Sequence, residues 1–180
     1  MRHLVSRRQF IRGDFGGRTE PVRPPGALTE HRFLTACSQC AACIDACPER
    51  IISRGSGGYP EINFQLGGCT FCGECIRVCR DGALKHSEDN IVGWPIIATI
   101  NSTCLSHQGI TCRICADACD VDAIQFDLKA GGTALPRIDT SSCTGCGACV
   151  GDCPVHAIEM NKQFNQPEDN PCQSSISAVC

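Results

Sequence analysis

Apolar residues in this 180-residue chain come in short alternating pieces, not in long helical stripes. Ile62 and Phe64 are separated by one polar residue, as are Ile124 and Phe126, and Ile158 and Met160. A two-residue step puts side chains on one face of a strand. Ile51-Ile52 and Ile62/Phe64 flank Gly55, Gly57 and Gly58, and Ala123–Asp127 and Leu135–Asp139 flank Gly131-Gly132. Each pair therefore reads as two short strands joined by a glycine turn. Residues 91–100, IVGWPIIATI, form the most apolar stretch. It is too short to span a bilayer, contains Pro95, and reads as a buried strand. The pattern predicts a small α+β fold built from two-stranded hairpins.

What lies between the strands is cysteine. Sixteen of the eighteen cysteines fall into four runs. Cys37, Cys40, Cys43 and Cys47 are spaced C-x2-C-x2-C-x3-C and lead into Pro48. Cys69, Cys72, Cys75 and Cys79 repeat the spacing, as do Cys143, Cys146, Cys149 and Cys153, the latter followed by Pro154. In Cys104, Cys112, Cys115 and Cys119 the first gap is stretched to seven residues. This is the ligand run of bacterial-type [4Fe–4S] proteins, in which each iron takes one thiolate. Two-residue gaps let a tight loop present three sulfurs to one side of a cluster. Gly73, Gly145 and Gly147 suit such a loop, because they accept positive φ. The x3 step carries the last cysteine one helical turn away.

In two-cluster ferredoxins that last cysteine ligates the other cluster, so crossed ligation is the expectation here. Cys37, Cys40 and Cys43 would share a cluster with Cys79, and Cys69, Cys72 and Cys75 with Cys47. Cys143, Cys146 and Cys149 would share one with Cys119, and Cys104, Cys112 and Cys115 with Cys153. The expected cofactors are three [4Fe–4S] clusters from the regular runs and a fourth from the stretched run. The stretched run also admits a three-iron cluster or no stable cluster. A disulfide scaffold gives no reason for three identical runs, and zinc sites read as two separated C-x2-C pairs.

Composition fits this reading. Aromatic residues are only 5% of the chain, with one Trp and one Tyr, so large core side chains are scarce and the clusters must serve as core. The formal net charge is −3, and each four-thiolate cluster would add about −2. An acidic body argues against nucleic acid and for a protein partner with a basic patch. Cysteines used as ligands require a reducing compartment, which points to the cytoplasm. No catalytic triad, phosphate loop or flavin fingerprint is visible, and no histidine sits at ligand spacing. The chain is expected not to be an enzyme.

The expected organisation is a basic leader and linker at 1–32, a ferredoxin-like module at 33–90, a second at 91–163, and a disordered tail at 164–180. The leader carries seven Arg, and Arg23-Pro24-Pro25-Gly26 reads as an extended linker. Ser6-Arg7-Arg8-Gln9-Phe10-Ile11 has the form of a twin-arginine export motif. Arg12, Gly13 and Asp14 follow where an apolar region of about 7–15 residues would be needed. Cys172 and Cys180 lie in the tail outside any ligand spacing and read as free thiols.

The layout resembles the NapF family, the ferredoxin-type accessory proteins of periplasmic nitrate reductase systems. The resemblance rests on the Ser6-Arg7-Arg8 leader, Arg23-Pro24-Pro25, and His31-Arg32-Phe33-Leu34-Thr35-Ala36-Cys37. It also rests on the turn Arg54-Gly55-Ser56-Gly57-Gly58-Tyr59-Pro60 and the stretched third run. The cysteine-bearing tail and Arg80 after Cys79, where Pro is common, depart from the pattern. The resemblance implies tandem bacterial two-[4Fe–4S] ferredoxin-like modules in a cytoplasmic protein. Its partner would be the precursor of the nitrate reductase catalytic subunit, whose iron–sulfur cluster it would help to install or reduce before export. The competing reading is an electron-transfer polyferredoxin or an electron-transfer subunit of an oxidoreductase.

Overall fold

A computed structural model describes residues 21–85, 96–129 and 132–162. Each half of the chain repeats one plan. In the first half, helix α1 (Glu30–Ala36) leads into the first cysteine loop and the one-turn helix α2 (Ala42–Asp45). Strands β1 (Ile52–Arg54) and β2 (Pro60–Ile62) follow, then a 3-10 turn at Phe64–Leu66 and the one-turn helix α3 (Glu74–Arg77). In the second half, β3 (Ile96–Ile100) leads into the stretched loop and α4 (Ile114–Asp117). After these come β4 (Ile124–Leu128), β5 (Ala134–Ile138), α5 (Ala148–Gly151) and β6 (Ile158–Lys162). The chain is α+β, with tandem ferredoxin-like halves of short helices and two-stranded antiparallel sheets.

The two hairpins are the predicted ones. Ile52 opposes Ile62 in β1–β2, and Ile124 opposes Ile138 in β4–β5. Pro136 is tolerated within β5 because a two-stranded sheet leaves one edge of each strand unpaired. The apolar stretch at 91–100 supplies β3, which pairs antiparallel with β6, Ile100 opposite Ile158. In the first half the corresponding closure is a single bridge, Ala27 opposite Leu84.

One small turn is used four times. Three residues after the last cysteine of each run, Arg50, Gly82, Asp122 and His156 have φ of 54°, 65°, 51° and 49°. Each donates its N–H to that cysteine's carbonyl, at 3.0–3.5 Å. The left-handed residue reverses the chain, so the next side chain drops into the core. Ile51, Ala83, Ala123 and Ala157 are accordingly no more than 1% exposed.

Two apolar clusters form the core. Phe33, Ile51, Ile52, Ile76 and Leu84 build the first. Ile96, Ala98, Ile124, Val150 and Ile158 build the second, and Phe64 joins this second cluster although it belongs to the first half by sequence. Its ring crosses to α5, where a Cβ on Gly147 would fall 2.0 Å from it. The two halves therefore share a packed contact.

From residue 21 onward, the segment expected to be leader and extended linker packs on the first half. Leu28 N–H donates to Ala83 O, Lys85 N–H to Gly26 O, and Ile62 N–H to Val22 O. Pro24 is fully buried. Arg23 pairs with Glu30 at 2.7 Å and Glu61 at 3.5 Å, and its guanidinium lies 5.1 Å from the centre of the Phe33 ring and 5.7 Å from that of Tyr59. Composition reads Arg-Pro-Pro as solvated; a cation between two carboxylates and two rings makes it structural. The Ser6-Arg7-Arg8 motif, Cys172, Cys180 and the 164–180 tail lie outside the described residues, as do positions 91–95.

Candidate metal centres

The cysteine loops are built by backbone geometry before any metal is considered. In the first run Gln39 and Ala41 have φ of 61° and 68°; in the second Phe71 and Gly73 have 54° and 75°; in the last Gly145 and Gly147 have 76° and 77°. The three regular runs thus share one conformation, left-handed two and four residues after the first cysteine. Glycine supplies it freely in the last run. Ala41 adopts it at a cost of about 1–2 kcal/mol, which the rest of the loop must offset. The stretched run departs: Arg113, in the place of Ala41, Gly73 and Gly147, has φ of −136°. Its extra loop is closed by Ser106, 2% exposed, whose Oγ donates to Cys112 O at 2.9 Å. In the second half the turns before both runs are alike. Asn101 Oδ1 accepts from Thr103 N–H at 3.0 Å, and Asp139 Oδ1 accepts from Ser141 N–H at 3.0 Å.

These loops bring the sixteen cysteines into four pockets of four. The first pocket is ringed by Cys37, Cys40, Cys43 and Cys79, against Phe33, Ala83 and Leu84. The second is ringed by Cys47, Cys69, Cys72 and Cys75, against Ile51, Ile52 and Ile76. The third holds Cys119, Cys143, Cys146 and Cys149, against Ala98, Ile124 and Met160. The fourth holds Cys104, Cys112, Cys115 and Cys153, against Ile100, Phe126 and Ile158. In every pocket three cysteines come from one run and the fourth from the neighbouring run. The fourth pocket is ringed by four cysteines and apolar side chains, as the other three are, despite the stretched loop.

Burial and mutual proximity push the thiols upward. Burial, then Cys37 and Cys40, raise Cys43 to about 11. Burial, then Cys69, raise Cys75 to about 12, and burial, then Cys146, raise Cys149 to about 12. Burial, then Cys104, raise Cys115 to about 11. Four thiolates this close repel one another in an apolar pocket, and these cysteines would hold cationic iron, whose charge would favour the deprotonated form of each.

Backbone N–H groups face the sulfurs. Phe71 donates to Cys69 Sγ at 3.4 Å, Leu84 to Cys79 Sγ at 3.4 Å, Ala123 to Cys119 Sγ at 3.3 Å and Ala157 to Cys153 Sγ at 3.2 Å. Such bonds orient a thiolate and tune its basicity. Among the described residues, no group of three or more Cys, His, Asp or Glu converges on a point that could hold a single metal ion. Four separated soft donors around an apolar pocket, with N–H groups behind them, suit a polynuclear iron–sulfur group, which takes one thiolate per iron. The donor set fits a [4Fe–4S] cluster.

The cysteines expected from the spacing ring the four pockets, while the non-glycine residues that shape their loops were not foreseen, because Gln39, Ala41 and Phe71 carry no composition signal for positive φ. Phe64 was read only as part of a returning strand.

Comparison with known proteins agrees with this chemistry. The 4Fe-4S dicluster domain family matches residues 36–84 and again 110–170. The second match begins inside the stretched loop, after Cys104. The chain is 39% identical over 154 residues to the ferredoxin-type protein NapF of Escherichia coli strain K12, covering 86% of this chain and 93% of that protein. It is 38% identical over 167 residues to NapF of Haemophilus influenzae, covering 87% and 94%. The methylamine utilization ferredoxin-type protein MauM of Methylophilus methylotrophus is 34% identical over 149 residues, covering 73% and 66%.

Proposed function

We propose a role for this chain from its lineage: it belongs to the NapF family of ferredoxin-type iron–sulfur proteins. The role is to assist maturation of the periplasmic nitrate reductase catalytic subunit. The chain would bind that subunit's precursor in the cytoplasm and supply electrons or help assemble its iron–sulfur cluster before export. The single observation that carries this reading is the near full-length similarity to NapF proteins, over a chain whose cysteines ring four pockets.

The sixteen cysteines are the proposed ligands, in the four crossed sets described above, and the proposed content is four [4Fe–4S] clusters. When bound, these groups supply one-electron redox chemistry at potentials of roughly −700 to +450 mV. The chain's own residues hold them. The thiols ligate, the N–H groups of Phe71, Leu84, Ala123 and Ala157 orient sulfurs, and Phe33, Ile51, Ile124 and Ile158 keep water from the pockets. In this reading the chain has no substrate-transforming site of its own and is not an enzyme. Among the described residues no helix is long and apolar enough to cross a membrane.

The test is a binding and loading experiment. Anaerobically purified holo protein should retain reductase precursor that still carries its signal peptide. Deleting the chain should lower the cluster content of the reductase. Equal cluster content with and without it would rule out the maturation role.

The similarity to MauM favours a second reading, a general electron carrier. A stable oxidoreductase partner unrelated to nitrate reduction, found with normal reductase maturation after deletion, would select it.

A further inference from the structure

The four pockets lie in sequence through the molecule. Helix α2 packs on α3, which joins the first pocket to the second. Helix α4 packs on α5, which joins the fourth to the third. Between these pairs, Cys69 N–H donates to Cys146 O at 2.8 Å. Cys69 belongs to the second pocket and Cys146 to the third.

The surroundings of that bond are fitted closely. The 3-10 turn at Phe64–Leu66 packs on α5. A Cβ on Gly147 would fall 2.0 Å from the Phe64 ring, and one on Gly68 would fall 2.8 Å from Ala148 Cβ. Phe64 is only 7% exposed and sits in the second half's core. The halves are therefore held at one separation by an aromatic wedge and two glycines, with a ligand-bearing residue on each side of the seam.

We propose that Phe64 and Gly68 are positioning residues that fix Cys69 against Cys146, so that the two halves exchange electrons as one unit instead of acting as two separate ferredoxins. This inference rests on the electron-transfer reading above. The exchange is a one-electron move with no bond made or broken. A reduced one-electron donor of the viologen class is oxidised at one half, and an oxidised one-electron acceptor of the haem-protein class is reduced at the other. The residues named touch neither donor nor acceptor; they act by setting distance.

The experiment compares the full holo chain with Phe64→Ala, with Phe64→Leu as the conservative variant, and with Gly68→Val as an independent change in the same seam. Iron and sulfide are counted first. Electron paramagnetic resonance of the viologen-reduced protein then reads magnetic coupling between the halves, and hydrogen exchange reads the Cys69 amide. The expected result is unchanged iron and sulfide, faster Cys69 exchange and loss of the inter-half coupling in Phe64→Ala and Gly68→Val, with coupling retained in Phe64→Leu. Full iron content with unchanged coupling in both disruptive variants would overturn the proposal. Loss of iron from both would also overturn it, because the seam would then hold the fold and not the spacing. A wild-type chain without iron–sulfur signals would instead sink the electron-transfer reading itself, so the two failures are distinguishable.

Discussion

The Phe64 ring occupies the space where a side chain on Gly147 would stand, and Gly147 has φ of 77°. Gly147→Ala therefore meets two penalties. The left-handed conformation costs about 1–2 kcal/mol for a residue with a Cβ. Overlap with the ring adds about 1–3 kcal/mol. The loaded variant should melt several degrees below wild type. An unchanged melting temperature would show that the seam yields easily.

Crossed ligation makes a prediction that local ligation does not. Cys153 follows Cys149 in sequence yet lines the pocket of Cys104, Cys112 and Cys115. Cys153→Ser should disturb the fourth site and leave the third, while Cys149→Ser should disturb the third and leave the fourth. Magnetic spectra of the two variants, recorded with iron counts, should lose different signals. The same signal lost from both would mean that each run ligates its own cluster.

Arg23 holds the segment before the first cysteine. Its side chain is 9% exposed and sits between Glu30 and Glu61. Arg23→Ala leaves two neighbouring carboxylates without their shared cation and removes contact with the Phe33 and Tyr59 rings. Hydrogen bonds to charged groups contribute about 1.5–3 kcal/mol each, and the half-exposed carboxylates place the loss at about 2 kcal/mol. Thermal unfolding should show that loss, and limited proteolysis should cut sooner between residues 21 and 29. Equal cleavage rates would return this segment to the status of a linker.

Much of this arrangement was legible in the cysteine spacing. The x2 and x3 steps specify a loop followed by one helical turn, and α2, α3, α4 and α5 each occupy that place. The glycines between Ser53 and Tyr59 and near Lys129 foretold the hairpins. Contacts decided by tertiary partners were not legible. Arg23 looks solvated until two carboxylates and two rings surround it. Pairing of β3 with β6 joins segments about sixty residues apart, and alternation alone names no partner. Phe64 belongs to a strand by its spacing, and its role comes from the half it packs against.

The thiol shifts set a pH dependence. Cys75 and Cys149 are pushed up to about 12, and Cys43, Cys69 and Cys115 to about 11, from an ordinary value of 9.0. The folded apo chain thus binds more protons than the unfolded chain between pH 9 and 12. Stability from these thiols is present below pH 9 and is lost as pH rises through 11 to 12. Melting of the metal-free chain should fall steadily across that window. Loading works in the opposite sense, since ligation requires thiolates, so reconstitution near pH 7 should release protons into a weakly buffered solution. Alkaline stabilisation of the apo chain would contradict the raised values.

The fourth site turns on Ser106. The seven-residue gap between Cys104 and Cys112 would leave Cys104 poorly placed if the loop were free. Instead Ser106 is buried and bonds Cys112 O, and Gly109 turns the chain at φ of 82°. Backbone bonds from Gln108 N–H to Cys104 O and from Ile110 N–H to Leu105 O shape the first part of the loop, at 3.2 and 2.9 Å. The Ser106 hydroxyl then ties that part to the second cysteine. Ser106→Ala removes it at a cost of about 1 kcal/mol and leaves the Cys112 carbonyl short of a partner. Wild type should carry about sixteen iron atoms per chain, four for each cubane. In the alanine variant the fourth site should lose iron first under a chelator challenge, moving the count toward about twelve while the other three sites persist. Simultaneous loss from all sites would mean that Ser106 supports the second half as a whole. A wild-type count of about twelve would show that the stretched run holds no cubane at all.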